Sequence, residues 1–191
     1  MRDPAERPLV DALRRGDASA FDAAYARYRG RVYGFLLRLS RRRDVAEDLF
    51  QETFLRLARA APRLAEDTDL AAWLFTVARN AWVSHRRWSM LDLSRLVAIE
   101  DDGLPLPPST APDPDARADA ARAVERLERA LESLPHASRE VLLLVGVEGF
   151  EQEQVAAMLG IKYDALRQRL ARARAQLAEK LAMVETLEAL A

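Results

Sequence analysis

The chain has 191 residues, no cysteine and a formal net charge of −1, and half of its residues are hydrophobic. Without thiols there are no disulfides, no cysteine nucleophile and no cysteine-bound metal, which fits a reducing cytoplasm. The near-neutral charge argues against a protein that coats nucleic acid indiscriminately. The longest apolar block, around 141–147, is far shorter than the ~20 residues of a membrane span, so we expect a cytoplasmic protein. The many Ala, Leu and Arg residues and the lack of β-alternation predict an all-α protein, and the length suggests one or two domains.

Two helices are predicted at the start of the chain. A short one around Leu9 and Leu13 is expected to stop at Gly16. Either Asp17 or Ser19 is placed to cap the second helix. Apolar residues recur along that helix at spacings of four and seven, and it is expected to end at the arginines 41–43, where cations suit the negative helix terminus.

The third and fourth predicted helices carry different surfaces. Asp44 is expected to cap the third, which has one apolar face and one acidic face. After an acidic loop at 62–69, the fourth helix runs from about 70 to 88. Its bulky aromatic residues include Trp73, Phe75 and Trp82. Exposed aromatics beside Arg and Asn are typical of a single-stranded nucleic-acid site, but the same residues could equally form a core, and the sequence leaves both interpretations open.

A proline-rich segment divides the chain. Five prolines lie between 105 and 114 in an acidic run, and proline both lacks a backbone donor and extends the residue before it. We therefore predict a flexible linker at 99–116, joining domains at 1–98 and 117–191. A helix at 116–134 follows. Its apolar side, formed by Val124, Leu127 and Leu131, is expected to cover the apolar helix after Pro135.

The C-terminal pattern is that of a helix-turn-helix. The apolar helix ends at Gly149, a short helix follows, and Gly160 lies where a left-handed residue is needed before a long helix that starts near Lys162. The predicted buried stripe of this last helix is Leu166, Leu170, Ala173 and Leu177.

The opposite face of the last helix suits a DNA groove. At ~100° per residue, Gln168 falls opposite the buried stripe. It is flanked by Asp164, Ala171, Arg172 and Ala175, with Arg167 and Arg174 on one shoulder and Arg169 on the other. Arg can bind guanine through two bonds and Gln can bind adenine likewise, while small alanines allow close approach. A solvated arginine face is the simpler alternative, but the Gly-centred turn favours DNA binding.

Three stretches resemble the bacterial extracytoplasmic-function sigma factors, the small two-domain group of the RNA polymerase sigma family. Residues Asp44 to Leu57 are similar to the clamp-binding segment of that family. Residues Ala72 to Asn80 resemble its promoter-melting helix, and Leu134 to Arg174 its second DNA-binding domain. Together with the helices between them, they cover most of residues 18–181.

The resemblance implies three interfaces. The core polymerase set, expected on the coiled-coil clamp of the largest subunit, is Asp48, Gln51, Glu52, Phe54 and Leu55. The minus-ten set, expected to open the duplex with help from the loop before the fourth helix, is Trp73, Arg79, Asn80, Ser84, Arg86 and Arg87. The minus-thirty-five set, expected to read duplex DNA, is Lys162, Arg167, Gln168, Arg169, Ala171 and Arg172. The acidic linker would run near the active-site channel of the polymerase, and an anti-sigma partner would hold the protein inactive.

This sequence departs from the family pattern at four positions. Ser84 stands where Asp is frequent, Lys162 where Ser or Pro is common, Glu151 where Ser or Thr usually caps the short helix, and Ala58 where an aromatic residue often sits. These departures leave the fold expectation intact, but the promoter sequence cannot be predicted from the chain.

Other functions are less well supported by the sequence. An enzyme would have only His85 and His136, which lie in different predicted domains, and no Gly-rich phosphate loop, so no catalytic residue, metal or cofactor is expected. A helix-turn-helix repressor or activator that works without polymerase is the main alternative, and a protein-interaction adaptor is another. The tail at 181–191 continues helical and apolar without a predicted role.

Overall fold

A computed structural model describes residues 6–91 and 114–189, and every element in these two ranges is helical. The chain divides into two compact units between Asp102 and Gly103. The all-α prediction is confirmed. Most of the predicted linker lies outside the described residues, but its last part does not, because α5 already begins at Pro114, before the expected Ala116.

The first unit is a helical bundle. Its elements are α1 (Glu6–Arg14), α2 (Ala18–Ser40), α3 (Arg43–Ala60), a 3₁₀ turn (Ala61–Arg63) and α4 (Leu70–Leu91). Helices α2, α3 and α4 pack on one another, while α1 lies against α2 and the 3₁₀ turn. Tyr28, Phe35, Leu57, Leu74 and Phe75 are almost completely buried where these helices meet, which makes them the apolar core of the unit.

The two predicted caps in this unit had different outcomes. Asp17 caps α2, because its Oδ1 accepts a hydrogen bond from the Ser19 backbone N–H at 2.9 Å. The prediction for Asp44 was wrong. Arg41 adopts a left-handed conformation (φ 59°), so α3 starts one residue before Asp44, with Arg42 at the cap position. Asp44 instead pairs with Arg42, whose hydrogen bonds lower the pKa of that carboxyl.

The second unit contains α5 (Pro114–Glu132), α6 (His136–Leu142), a π-helical turn (Leu143–Val147), α7 (Gln152–Leu159) and α8 (Tyr163–Ala189). The expectation that α5 covers the apolar helix was wrong, because α5 packs mainly along α8. Of its predicted apolar side only Leu131 is buried. Val124 and Leu127 are 54% and 37% exposed.

The turn of the helix-turn-helix has the predicted left-handed glycine. The apolar helix changes from α to π at Leu143 and gives way at Gly149 (φ 74°). Glu151 caps α7 and forms a capping box with Gln154, so an acidic side chain replaces Ser or Thr there. Gly160 ends α7 in the left-handed region, with φ 65° and ψ 35°. This conformation turns the chain into α8 and suits glycine because there is no Cβ to clash.

Candidate functional site

Helix α8 carries the predicted reading face on the outside of its unit. Leu166, Leu170 and Ala173 are buried at 0%, 3% and 0% exposure, and Leu177 is half-buried. Four of the six predicted minus-thirty-five residues are exposed within α8: Arg167, Gln168, Ala171 and Arg172. Lys162 is exposed just before the helix starts, whereas Arg169 is half-buried at the edge of the core.

Contacts from α6 and α7 hold α8 in place. The Ser138 hydroxyl on α6 donates a 2.7 Å hydrogen bond to Gln176 Oε1, one turn beyond Arg172. The Ile161 backbone N–H bonds the Ala156 carbonyl at 3.0 Å across the Gly160 turn. The helix is therefore positioned from its buried side, which leaves the opposite side open to a ligand.

Two exposed arginines on the predicted reading face of α8 contact residues of their own helix. Arg172 Nε donates a 3.4 Å hydrogen bond to the Gln168 carbonyl, and the Arg167 guanidinium lies 6.0 Å from the centre of the Tyr163 ring. Both contacts are surface contacts of low energy. A guanine edge or a phosphate can replace them at little cost, so this face is chemically able to read a major groove.

The predicted minus-ten residues share one face of α4. At ~100° per residue, the six positions fall within an arc of roughly 160°, opposite a buried row that includes Leu70, Leu74 and Ala78. Asn80, Ser84 and Arg87 are exposed. Trp73, Arg79 and Arg86 are half-buried on the two margins of the arc. The face combines one aromatic ring, an amide, a hydroxyl and three guanidinium groups.

The sequence left open whether the aromatic residues of α4 form a core or a nucleic-acid site, and the structure shows how far each of them is buried. Phe75 belongs to the core: it is fully buried, and its ring lies 5.2 Å from Phe35. Trp82 is half-buried, with its ring stacked on His85 at 6.0 Å and an interplanar angle of 20°. Sequence reasoning missed Trp88, which is 74% exposed. It lies two turns after Ala81, which is the last of residues 70–89 of α4 to be buried.

The loop that leads into α4 is anchored at both ends. Asp69 accepts a 2.8 Å hydrogen bond from the Ala72 backbone N–H and so caps the helix. Glu66 pairs with Arg14 of α1 at 3.0 Å, which ties the loop to the first helix. From Leu70 to Leu91 the helix contains no Asp or Glu, so the charged side chains that α4 itself contributes to this face are arginines.

Helix α3 presents a mixed acidic and apolar surface. Asp48 and Gln51 are exposed, and Leu55 is 52% exposed, which is high for a large apolar residue. Glu52 is half-buried and accepts a 2.7 Å hydrogen bond from Arg56 Nε. On a helix, residues three and four apart are neighbours. Asp48, Gln51, Glu52 and Leu55 have this spacing, so they form a continuous patch that a partner can contact.

Phe54 does not belong to that patch, which corrects its predicted role in polymerase binding. It is only 5% exposed. Its ring lies 5.0 Å from both Tyr25 and Phe50 and 6.4 Å from Phe21. The aromatic cluster joins α2 to α3, so Phe54 is a core residue and cannot reach a partner without unfolding.

Within residues 6–91 and 114–189, no group of three or more His, Asp or Glu side chains is arranged to hold a metal ion. In the same ranges no helix is both long and apolar enough to cross a membrane. The fold and the three surfaces define a two-unit helical DNA-binding protein with a helix-turn-helix.

Comparison with known proteins identifies the family. The model of sigma-70 region 2 matches residues 24–89, and that of sigma-70 region 4 matches residues 124–177. The chain is 36% identical to RNA polymerase sigma factor CarQ of Myxococcus xanthus over 92% of its length and 97% of that protein. It is 32% identical to ECF RNA polymerase sigma factor SigE of Mycolicibacterium smegmatis over 94% of its length and 70% of that protein.

A solved structure agrees with these relatives. The sigma factor RpoE in complex with the anti-sigma factor NepR, from Bartonella quintana, is 28% identical and has a TM-score of 0.65, covering 79% of this chain and 89% of that one. The chain belongs to the sigma-70 family of RNA polymerase sigma factors, within its ECF group.

Proposed function

We infer that the chain is an alternative sigma factor, which binds core RNA polymerase and directs it to specific promoters. The observation that carries this is the match of both sigma regions, in order, along one chain that aligns with CarQ over nearly its whole length. In this assignment residues 1–98 bind polymerase and the minus-ten element, 99–116 form the linker, and 117–191 bind the minus-thirty-five element.

The minus-thirty-five contact is proposed for the exposed face of α8. Gln168 and Arg172 lie at its centre and would bond base edges, while Lys162 and Arg167 would hold phosphates. Arg169 keeps a smaller part in this proposal, because it is half-buried.

The minus-ten contact is proposed for the exposed face of α4. Asn80 and Ser84, both exposed on this face, would meet bases, and Arg79, Arg86 and Arg87 would neutralise phosphates. Trp73, which is half-buried, would add an aromatic ring to this face. An opened strand needs both a stacking surface and cations, and α4 provides them together.

Core polymerase is proposed to bind the patch formed by Asp48, Gln51, Glu52 and Leu55. An exposed leucine that follows Asp48, Gln51 and Glu52 on one side of α3 suits a partner surface that combines apolar and basic groups. An anti-sigma partner is proposed as well, since RpoE of Bartonella quintana was solved with one.

Run-off transcription with purified core enzyme and genomic DNA fragments tests the proposal. The chain should start specific transcripts that core enzyme alone does not, and the isolated chain should bind the same promoters weakly. A helix-turn-helix repressor predicts the reverse: tight operator binding by the isolated protein and no new transcripts. Specific binding without any gain in transcription would therefore reject the sigma assignment.

A further inference from the structure

We propose that the hydrogen bond between Ser138 of α6 and Gln176 of α8 tunes promoter selectivity, by fixing the rotation of α8 about its own axis. Both are positioning residues, since neither belongs to the proposed base contacts. The inference rests on the proposed function and deepens it, because it names what aims the minus-thirty-five face. The two residues are 38 positions apart in the chain, so only the folded unit brings them together.

The pair is a directional contact on a helix side that also packs through apolar groups. The Ser138 hydroxyl donates a 2.7 Å hydrogen bond to Gln176 Oε1. Ser138 is 9% exposed and Gln176 is half-buried. The same helix buries Leu166, Leu170 and Ala173, which are apolar. Apolar packing has no preferred direction, whereas a hydrogen bond constrains both a distance and an angle. The bond therefore specifies the rotation of α8 more closely than the apolar stripe does.

The reading face lies between two polar anchors. At one end, Ser138 is held in the first turn of α6, where its backbone N–H bonds the Pro135 carbonyl at 2.9 Å. At the other end, the Ile161 backbone N–H bonds the Ala156 carbonyl at 3.0 Å just before α8 starts. The proposed contacts at 167–172 fall between these anchors, so their direction depends on both.

Gln176 continues the row of α8 that holds the proposed base contacts. Gln168, Arg172 and Gln176 are successive neighbours four residues apart. With its side chains an α-helix has a radius of about 5–6 Å, so a rotation of about 10° moves its surface by about 1 Å. Hydrogen-bond distances vary by only about 0.5 Å. A small rotation would therefore break a base contact, while phosphate contacts, which carry no sequence information, would persist through long flexible side chains.

The test uses holoenzyme reconstituted from core polymerase and each variant. Pairs of promoter fragments that differ at one base pair compete for it, and the ratio of the two bound fragments is measured, so the amount of folded protein cancels. Ser138→Ala and Gln176→Met each remove the bond. Each should lower discrimination by about 2- to 13-fold, the bias that one net hydrogen bond supplies, at minus-thirty-five positions that Arg172→Ala or Gln168→Ala also relaxes. The double variant should lose no more than either single variant.

Ser133→Ala is the matched control, because it removes another serine hydroxyl of the second unit, one that bonds the nearby Ala130 carbonyl at 2.8 Å. Ser138→Thr keeps a hydroxyl and should retain discrimination. Fragments that differ in the minus-ten element should be unaffected by every variant.

Three results would each overturn the inference: wild-type minus-thirty-five ratios with Ser138→Ala and Gln176→Met, additive losses in the double variant, or the same loss with Ser133→Ala. An equal loss of discrimination in the minus-ten element would overturn it too. If wild-type holoenzyme starts no specific transcripts, the proposed function fails with it. If wild type starts them and the variants keep its ratios, the positioning role alone fails.

Discussion

The Nε atom of Arg139, on α6, donates a 2.9 Å hydrogen bond to the carbonyl oxygen of Leu131, near the end of α5. Its Nη2 atom reaches the carbonyls of Glu132 at 2.6 Å and Leu134 at 2.9 Å. One buried guanidinium thus donates to three backbone carbonyls at and just after the C-terminus of α5, where carbonyls have no N–H partner within the helix. These hydrogen bonds join the C-terminal end of α5 to α6, the helix that precedes the helix-turn-helix.

Replacing Arg139 with Ala should destabilise the second unit by about 3 kcal/mol or more, because three carbonyls lose a charged donor in a buried place. Arg139→Lys should recover only part of this, since an ammonium cannot reproduce the planar fork. All three tryptophans, at 73, 82 and 88, lie in the first unit. In urea, the far-ultraviolet circular dichroism should therefore shift while the tryptophan fluorescence transition does not; a shift of both together would contradict the assignment.

Phe54 and Leu55 are adjacent in sequence and should respond in opposite ways to truncation. Phe54→Ala removes a buried ring from the cluster between α2 and α3 and should cost about 3–5 kcal/mol of unfolding free energy. Leu55→Ala removes an exposed side chain and should change stability by no more than about 0.5 kcal/mol while weakening the binding of core polymerase. Tryptophan fluorescence in urea measures the first effect and titration of core enzyme the second. Undiminished polymerase binding by Leu55→Ala would remove it from the interface.

Arg172→Ala should alter promoter choice, whereas Arg174→Ala should not. Arg172 lies beside Gln168 on the centre of the α8 face, so its loss should cost about 1–3 kcal/mol and relax selection at one base pair. Arg174 is exposed on a shoulder and should contribute through phosphates alone. Competition among promoters with single changes in the minus-thirty-five element measures both. Equal weakening on all of these promoters by Arg172→Ala would assign it to phosphate instead.

Stability of the first unit should fall at alkaline pH because of Tyr28. This side chain is 1% exposed and donates its hydroxyl to Glu6, and burial together with that bond raises its pKa above the ordinary value of about 10. Above that pH the unfolded chain releases this proton while the folded chain keeps it. The folded state then binds more protons, so stability declines as pH rises, by at most about 1.4 kcal/mol per pH unit.

Tyr28→Phe removes this ionisation and tests it. Tryptophan fluorescence gives the urea midpoint of each protein between pH 9 and 12. The two midpoints should converge as pH rises, because the wild-type protein loses the stability that its buried phenol contributes. The other titrating groups are common to both and cancel in the difference. Parallel curves across the range would show that Tyr28 does not govern this part of the pH dependence.

Local chemistry made the helix-turn-helix predictable. Gly160 between two helical patterns predicted a left-handed turn, and the structure has it. The spacing of Leu166, Leu170 and Ala173 predicted the buried side of α8 and therefore the exposed side. Both depend on neighbours within one or two turns, which a sequence window contains.

The predictions that were wrong concern features that depend on what packs against a helix. Phe54 and Leu55 are both apolar and adjacent, and only the position of the aromatic residues on α2 decides which is buried. Val124 and Leu127 look like core residues but remain exposed, because α5 lies along α8 and not over α6. Asp44 lost its predicted cap role when Arg41 turned the chain early.

By itself, the order of residues determined that this protein is helical, that it has two halves, and which side of its last helix faces outward, since periodicity and glycine geometry act over a few residues. Tertiary packing alone decided which aromatic rings enter the core and which, like Trp88, remain outside. Burial is a property of the surfaces that meet, and those surfaces come from segments far apart in the chain.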